Sequence, residues 1–223
     1  MTVAVSQVVF IGPVCTGKTT LLRLVADRVG VEVVDLDEVA NLYYEEVGRG
    51  YDALQVKGDE VGFLASYRWW REGHPHAVRR VFEDHPQAVV ALGAGHTHYQ
   101  DQHMFDVVAT VLLHRYPILV LPSSDLDQSV EVIRARSVAS RDMDWRYGDV
   151  DFIERWVKRP RQPRPRPLDR LHGEPDTASD GRRDHGPPGW TSRTQHVGAD
   201  PAHRLGWCLT APGWVIWTRL VDE

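Results

Sequence analysis

The sequence predicts a three-layer α/β domain with a parallel sheet, followed by a largely irregular C-terminal tail. Short β-branched segments alternate with longer segments of helical periodicity over residues 1–158. Three of the predicted strands end at a glycine or an aspartate, where parallel sheets bind their ligands. Over residues 159–223 proline, arginine and glycine become frequent and the apolar periodicity is lost.

The composition is that of a globular protein and excludes several classes of function. The chain has 223 residues, of which 42% are hydrophobic and 26% are charged, enough to form a core. The net charge of −5 argues against a general nucleic-acid binder. No apolar run reaches the roughly 20 residues of a membrane helix, and no secretory signal is visible. Two cysteines, Cys15 and Cys208, cannot form a disulfide framework, so a cytoplasmic location is expected. The chain is also expected to be a monomer.

The first half of the domain is predicted to contain two strand–helix units. The first strand is rich in β-branched residues and ends at Gly12, whereas the first helix has apolar residues at helical spacing and stops at Gly30. The predicted elements are a strand at 3–11, a helix at 18–29, a strand at 31–34 ending in Asp35, and a helix that Asp37 caps and that runs toward Gly48.

The second half continues the alternation of helices and strands. Two strands are short apolar runs, and one of them is preceded by Pro117. The last helix has two candidate capping residues, Ser124 and Asp125. The predicted elements are helices at 58–71, 76–83, 102–113 and 128–137, and strands at 87–92 and 118–121.

The residues after the first strand have the spacing of a phosphate-binding P-loop, with a strand before and a helix after. Gly12 and Gly17 let the backbone curl so that its N–H groups point toward phosphate oxygens. Lys18 would supply a cation for the β- and γ-phosphates of ATP, and the Thr19 hydroxyl would coordinate Mg²⁺. The predicted ATP-binding residues are Gly12, Pro13, Val14, Cys15, Thr16, Gly17, Lys18, Thr19 and Thr20.

Acidic residues and a glycine turn follow the next two strands. Asp35 and Asp37 could divide two tasks of a kinase, which are holding Mg²⁺ and accepting the proton of the acceptor hydroxyl. As alternatives, Asp37 could be a helix N-cap and Asp35 a turn residue. The turn Gly93-Ala94-Gly95 would let a substrate approach the backbone.

These motifs resemble those of shikimate kinase and its relatives, in the nucleoside-monophosphate-kinase-like group of P-loop proteins. The resemblance covers roughly residues 5–145 and implies a P-loop NTPase fold. It also implies an ATP-dependent phosphotransferase that uses Mg²⁺ and acts on a hydroxyl of a small metabolite. The matching segments are 12–19, 34–37, 89–95, and the strand at 118–121 before a helix with Arg134 and Arg136.

The resemblance also implies roles for individual residues. Asp35 would hold Mg²⁺ through water, and Asp37 would bind and deprotonate the acceptor hydroxyl. Arg71 or Arg68 would grip a carboxylate of the acceptor, and Arg141 in a mobile lid would cover the ATP phosphates. The implied catalytic residues are Lys18, Asp37 and Arg141; the substrate-binding residues are Asp37, Arg68, Arg71, Gly93, Ala94 and Gly95; the metal-binding residues are Thr19 and Asp35.

Three departures from the family pattern weaken the prediction of shikimate as the acceptor more than they weaken the prediction of ATP binding. Ala94 replaces a glycine of the family's triple-glycine turn. The family's lid motif is absent after Arg141, and its second substrate arginine has no match before Arg159. A small hydroxylated metabolite related to shikimate is therefore as well supported as shikimate itself. A nucleotide-binding protein with little or no transferase activity and a nucleotidase-type ATPase are the alternatives.

Two further features have competing interpretations. The paired histidines at 74 and 76 and at 96 and 98 could bind a transition metal, but no cysteine cluster accompanies them. His96 or His98 is better placed to meet a substrate at the glycine turn. Trp69 and Trp70 could stack on a ligand ring, although packing is the more common role of such residues.

Within the tail at 159–223, residues 159–206 lack the apolar residues that would offset the entropy of ordering them. Two explanations remain open, a natural disordered extension and a shift of reading frame near residues 159–165. The segment 213–218 has strand-forming residues and could cover the sheet edge left by a missing fifth strand.

Overall fold

The computed structural model describes residues 7–158, 191–193, 208–211 and 214–217. The strands are β1 (Val8–Ile11), β2 (Val33–Asp35), β3 (Val89–Ala91), β4 (Tyr116–Leu121), β5 (Arg146–Tyr147), β6 (Val150–Asp151), β7 (Thr191–Arg193), β8 (Cys208–Ala211) and β9 (Trp214–Trp217). The α-helices are α1 (Lys18–Val29), α2 (Leu36–Glu45), α3 (Tyr51–Val61), α4 (Phe63–Arg71), α5 (His74–Asp84), α6 (Gln102–Leu112), α7 (Leu126–Arg141) and α8 (Phe152–Lys158), with a 3₁₀ turn at Ala94–His96.

The main sheet has the strand order β2-β3-β1-β4-β9-β8-β7. Its first four strands are parallel, with β1 between β3 and β4. The carboxyl ends of β1, β2 and β3 therefore lie side by side at one edge of the sheet. This arrangement brings together the P-loop, the two aspartates and the glycine turn.

The alternation of side chains along β1 separates two core layers. Phe10 packs with Leu21 and Leu22 of α1 on one face of the sheet. Val9 and Ile11 point to the other face, where residues of α2, α5 and α6 cover them. A third cluster lies around α7 and α8 and includes Ile133, Phe152, Ile153 and Trp156. The three-layer α/β fold with a parallel sheet, predicted from the sequence, is confirmed.

Several element boundaries differ from the predictions. The helix predicted at 58–71 is two helices, because Gly62 has a φ of +77° and separates α3 from α4. The cap of α2 is Asp35, whose side chain accepts a hydrogen bond from the backbone N–H of Asp37, so the prediction of Asp37 as the cap was wrong. At α7, Asp125 is the cap and accepts from the N–H of Gln128.

The chain after α7 forms elements that the sequence did not predict. A short hairpin of β5 and β6 precedes α8. Arg134 holds this hairpin, since its guanidinium donates to the Asp144 carbonyl at 2.6 Å and to the Asp151 carboxylate at 2.5 Å. Tyr147 of the hairpin stacks on Phe63 of α4, with ring centroids 4.2 Å apart.

Part of the predicted tail extends the sheet. The segment 213–218, for which the sequence allowed a strand without predicting one, contains β9, which pairs antiparallel with β4 and places Val120 opposite Ile216. β8 and β7 continue the sheet outward from β9. The remaining residues of 159–223 lie outside the described residues, so the domain boundary at 158 and both explanations for the tail stay predictions. Over the part of the chain that the structure describes, no helix is long and apolar enough to cross a membrane.

Candidate active site

The loop between β1 and α1 depends on its two glycines. Gly12 has a φ of +141°, and a Cβ added there would lie 2.6 Å from the carbonyl oxygen of Val120. Gly17 has a φ of +89° directly before α1. L-residues rarely adopt these conformations, so glycine is required for the loop to fold against β4 and enter the helix.

Lys18 lies across this loop. Its Nζ donates hydrogen bonds to the carbonyls of Gly12 at 3.0 Å and of Pro13 at 2.7 Å. The Thr16 hydroxyl donates to the Pro13 carbonyl at 3.0 Å and closes the loop from within. Burial lowers the pKa of Lys18, while the negative charges of Asp37 and then Asp35 oppose that shift. The ammonium is thus held between the phosphate loop and two carboxylates.

Thr19 and Asp35 form a direct pair. The Thr19 Oγ1 donates to Asp35 Oδ2 at 2.5 Å, and Asp35 Oδ1 accepts from the Asp37 N–H at 3.1 Å. Hydroxyl and carboxylate oxygens are the ligands that Mg²⁺ prefers, either directly or through water. The donor set therefore fits a magnesium ion beside the loop. Thr20, also predicted to bind ATP, is exposed on the first turn of α1.

Asp37 lies at the mouth of the site, next to the glycine turn. Its side chain is 58% exposed, and a Cβ added to Gly93 would overlap its carboxylate. Only a glycine lets the end of β3 approach this side chain so closely. Ala94 is buried behind the turn, in the α7–α8 cluster. Asp37 is therefore both accessible to a solute and backed by the turn that sequence analysis assigned to substrate binding.

A buried layer of rings lies behind the turn. The Tyr44 hydroxyl and His96 Nε2 are 2.5 Å apart, and the rings of His96 and His74 are 4.7 Å apart. His74 Nδ1 donates to the Gly95 carbonyl at 3.0 Å, which fixes the turn. Burial lowers the pKa of both histidines below the usual value. Tyr44 was not among the predicted site residues, and its one signal in the sequence is its position seven residues after Asp37, on the same face of α2.

The structure separates the two arginines proposed for the acceptor. Arg71 donates to the His98 carbonyl and lies over the rings of Tyr67 and Tyr99, at 5.9 and 5.8 Å from their centroids. Tyr67 in turn borders Gly95. Arg68 is exposed and lines a groove of about 450 Å³ with residues of the β5–β6 hairpin. Arg71 is thus the arginine that lies beside the glycine turn.

Two arginines of α7 lie near the loop. Arg136 donates to the Cys15 carbonyl at 3.4 Å, and Cys15 Sγ lies 3.9 Å from the Ser140 hydroxyl. Arg141 is the last residue of α7 and is exposed. Its positive charge lowers the pKa of Lys18, in the direction opposite to the effect of the two aspartates. Arg136 was not among the predicted site residues. Its one signal in the sequence was its place on the helix after the strand at 118–121, which is part of the family resemblance.

His76 and the two tryptophans, for which metal binding or ligand stacking was considered, contact other residues of the protein. His76 faces outward and its Nε2 lies 2.6 Å from a Glu46 carboxylate oxygen. Trp70 packs edge-on against His74, and Trp69 lies under the Arg49 guanidinium. Within the described ranges, no group of three or more histidine, cysteine, aspartate or glutamate side chains is arranged to hold a metal.

The glycine loop before α1, the lysine across it and the hydroxyl–carboxylate pair define a P-loop domain of the α/β class. The chain belongs to the AAA domain family, whose sequence profile matches residues 7–122, just over half of the chain. No curated protein gives a significant match.

Two solved structures to which the chain is similar are shikimate kinases. One, from Acinetobacter baumannii in complex with shikimate, is 16% identical over 69% of this chain and 73% of that chain, with a TM-score of 0.43. The other, from Aquifex aeolicus, is 14% identical over 68% of this chain and 77% of that chain, with a TM-score of 0.39.

Proposed function

We propose that the protein is an ATP-dependent phosphotransferase that acts on a hydroxyl of a small metabolite. One juxtaposition supports this function above the others. The Lys18 ammonium, the Thr19–Asp35 pair and the exposed Asp37 carboxylate lie together at the carboxyl ends of the parallel strands β1 and β2, which flank β3. These groups match the three needs of phosphoryl transfer, which are a cation on the phosphates, ligands for Mg²⁺ and a carboxylate for the attacking hydroxyl.

The phosphate side of the site uses groups that the loop already positions. Thr19 and Asp35 would hold Mg²⁺, which would supply positive charge against the charge that develops on the phosphate. Lys18 Nζ can turn from the Gly12 and Pro13 carbonyls toward phosphate oxygens without leaving the loop. Arg136 and Arg141, at the loop and at the end of α7, add positive charge on the same side.

The acceptor side is the space between Asp37 and the glycine turn. Asp37 would orient the acceptor hydroxyl and accept its proton as the bond to phosphorus forms. Arg71 lies beside the turn and can donate to an anionic group, which favours a hydroxylated carboxylate as acceptor. Shikimate, the compound bound to the Acinetobacter enzyme, is one such carboxylate. Because Ala94 replaces a glycine of the family's turn, related compounds are equally good candidates for the acceptor.

A screen for acceptor-dependent phosphoryl transfer tests the function. Thermal shift in the presence of Mg·ADP would first rank a panel of hydroxylated carboxylates that includes shikimate, because a ligand of the folded state raises the apparent stability. ADP release and mass spectrometry of the product would then be measured with ATP, Mg²⁺ and each ranked compound. We expect ADP release that depends on the acceptor, with a product heavier by one phosphoryl group.

Two other outcomes identify the alternatives. ATP hydrolysis at the same rate with and without every compound would indicate a nucleotidase-type ATPase. Binding of Mg·ADP without turnover would indicate a nucleotide-binding protein, an option that the missing lid motif after Arg141 keeps open. Either outcome would contradict the proposed phosphotransferase.

A further inference from the structure

We propose that His96 is a positioning residue for Asp37: its Nδ1–H faces the Asp37 carboxylate, and Tyr44 fixes which ring nitrogen carries the proton. The inference rests on the proposed function in one respect, because it takes Asp37 as the group that receives the acceptor's proton. The arrangement itself can be tested without any substrate.

One buried nitrogen of the His96 ring, Nδ1, lies next to Asp37. His96 Nδ1 lies 3.6 Å from Asp37 Oδ1, and the His96 side chain is only 4% exposed. Among the described residues this nitrogen has no hydrogen-bond partner, although an unpaired buried polar atom costs free energy. Asp37 is largely exposed and free to close the remaining few tenths of an ångström. The nearest group that could satisfy Nδ1 is therefore the proposed base.

The hydrogen bond from Tyr44 determines which nitrogen of the His96 ring carries the proton. Burial raises the pKa of the Tyr44 hydroxyl, so this group is protonated and must donate. The one acceptor that the described residues offer it is His96 Nε2, at 2.5 Å. Burial also lowers the pKa of His96, so the ring carries a single proton. Since Nε2 accepts from Tyr44, that proton is on Nδ1, the nitrogen facing Asp37.

The His96 ring is packed so that it cannot readily turn. The His96 and Tyr44 rings are nearly parallel, with an interplanar angle of 7°, and His74 packs against both rings. His74 is itself held by its hydrogen bond to the Gly95 carbonyl. With Oδ1 of Asp37 held by a fixed donor, Oδ2 is left to receive the acceptor hydroxyl. A base oriented in this way is pre-organised before the substrate arrives.

Nitrogen NMR of the full-length chain tests the tautomer. Long-range proton–nitrogen spectra distinguish Nδ1–H from Nε2–H histidines, and the His96 signal is identified by its loss in His96→Asn. We expect Nδ1–H in the wild type and a shift toward Nε2–H in Tyr44→Phe, which removes the donor to Nε2. Tyr43→Phe is the matched control, because its hydroxyl lies on the Asp84 side of α2. A wild-type His96 protonated on Nε2 overturns the inference.

Two amide substitutions test the effect on catalysis. The asparagine amide nitrogen can take the place of Nδ1, whereas the glutamine amide reaches the position of Nε2 and leaves Asp37 without a donor. With shikimate as the acceptor probe, we expect His96→Gln to lower kcat by about tenfold at an unchanged KM for ATP, and His96→Asn to retain most of the activity.

The outcomes separate this inference from the proposed function. Equal losses in both variants, in proportion to a loss of thermal stability, would give His96 a packing role only and would overturn the inference. A wild type that transfers no phosphoryl group to any compound contradicts the proposed function, while the tautomer measurement still decides whether His96 presents Nδ1–H to Asp37.

Discussion

Lys18 is the residue on which turnover should depend most. Replacing it by methionine keeps much of the buried volume and removes the cation that would stabilise the transferring phosphate, so turnover should fall by a factor of about 10² or more. Loss of the hydrogen bonds to Gly12 and Pro13 should cost about 1 kcal/mol of stability and leave the fold intact. Steady-state ADP release and a urea melt measure the two effects.

The matched control is Lys57→Met, since Lys57 is a half-buried lysine paired with Glu60 at 2.9 Å on α3. This variant should keep wild-type turnover. Unchanged turnover in Lys18→Met would contradict a role of the P-loop in the reaction.

Asp37→Asn should lower kcat far more than it weakens ATP binding. The amide keeps the size of the side chain but cannot accept the proton of the acceptor hydroxyl. The backbone N–H that Asp37 donates to Asp35 is unaffected by this change. Isothermal titration with a non-hydrolysable ATP analogue, beside steady-state kinetics, separates binding from turnover. An equal loss of nucleotide affinity would assign Asp37 to the phosphate side of the site.

Asp35→Asn should instead raise the Mg²⁺ concentration needed for half-maximal activity. Asp35 is both the partner of Thr19 and the N-cap of α2, and asparagine caps helices as well as aspartate does. The helix should therefore stay intact while the negative charge beside the cation is lost. A Mg²⁺ titration of activity measures the shift. A variant with the wild-type Mg²⁺ dependence and lower thermal stability would restrict Asp35 to capping.

The P-loop could be predicted at residue scale because its signal is local, with two glycines, a lysine and a threonine between a strand and a helix. The ring layer behind Asp37 has no such signal. Tyr44 and His96 are 52 positions apart, and only the packing of α2 against the end of β3 brings them together. Arg71 was the first candidate for the acceptor and Arg68 the alternative, and the sequence could not decide between them because the choice depends on which face of α4 meets the glycine turn.

At the scale of elements, the turn after β3 positions the base. Gly93 has ordinary backbone angles, with φ −65° and ψ 163°, so alanine can adopt its conformation. The added methyl group would nevertheless collide with the exposed Asp37 carboxylate and turn it away from the acceptor. Gly93→Ala should therefore reduce kcat by as much as about 10²-fold with little change in stability.

The control for this prediction is Gly58→Ala in α3. Its new methyl group would meet Ser66 Oγ at an ordinary distance of 3.6 Å, and alanine should stabilise the helix by about 0.5–1 kcal/mol. Activity should be unchanged. Kinetics and thermal melts of both variants, measured side by side, would contradict the positioning role of the turn if Gly93→Ala kept full kcat.

Elements with a strong hydrophobic signal were the ones predicted correctly. β1 to β4 are β-branched or apolar runs whose residues are buried or half-buried, so their existence could be predicted although their ends differ by a few residues. α3 has no buried residue, and its first turns were missed for that reason. The apolar pattern continues across Gly62, which hides the break between α3 and α4.

At the scale of the whole molecule, the sheet combines two strand directions. The four parallel strands form the site, whereas β9, β8 and β7 extend the β4 edge in antiparallel pairs. The sequence indicated that this edge was open and that 213–218 could cover it. It could not predict the pairing of β9 with β4, because their register joins Val120 to Ile216 across nearly a hundred residues with no local signal.

Limited digestion with trypsin tests this architecture in the intact chain. The composition between Arg159 and Arg204 lacks the apolar residues of a core, so cleavage should begin there and leave residues 7–158 resistant. The fragment with β8 and β9 should nevertheless elute with the resistant core on gel filtration, because β9 is hydrogen-bonded to β4. A fragment that elutes separately would contradict the pairing of β9 with β4. A chain that resists trypsin between Arg159 and Arg204 as long as it does in the core would contradict the compositional prediction and make this stretch a folded part of the domain.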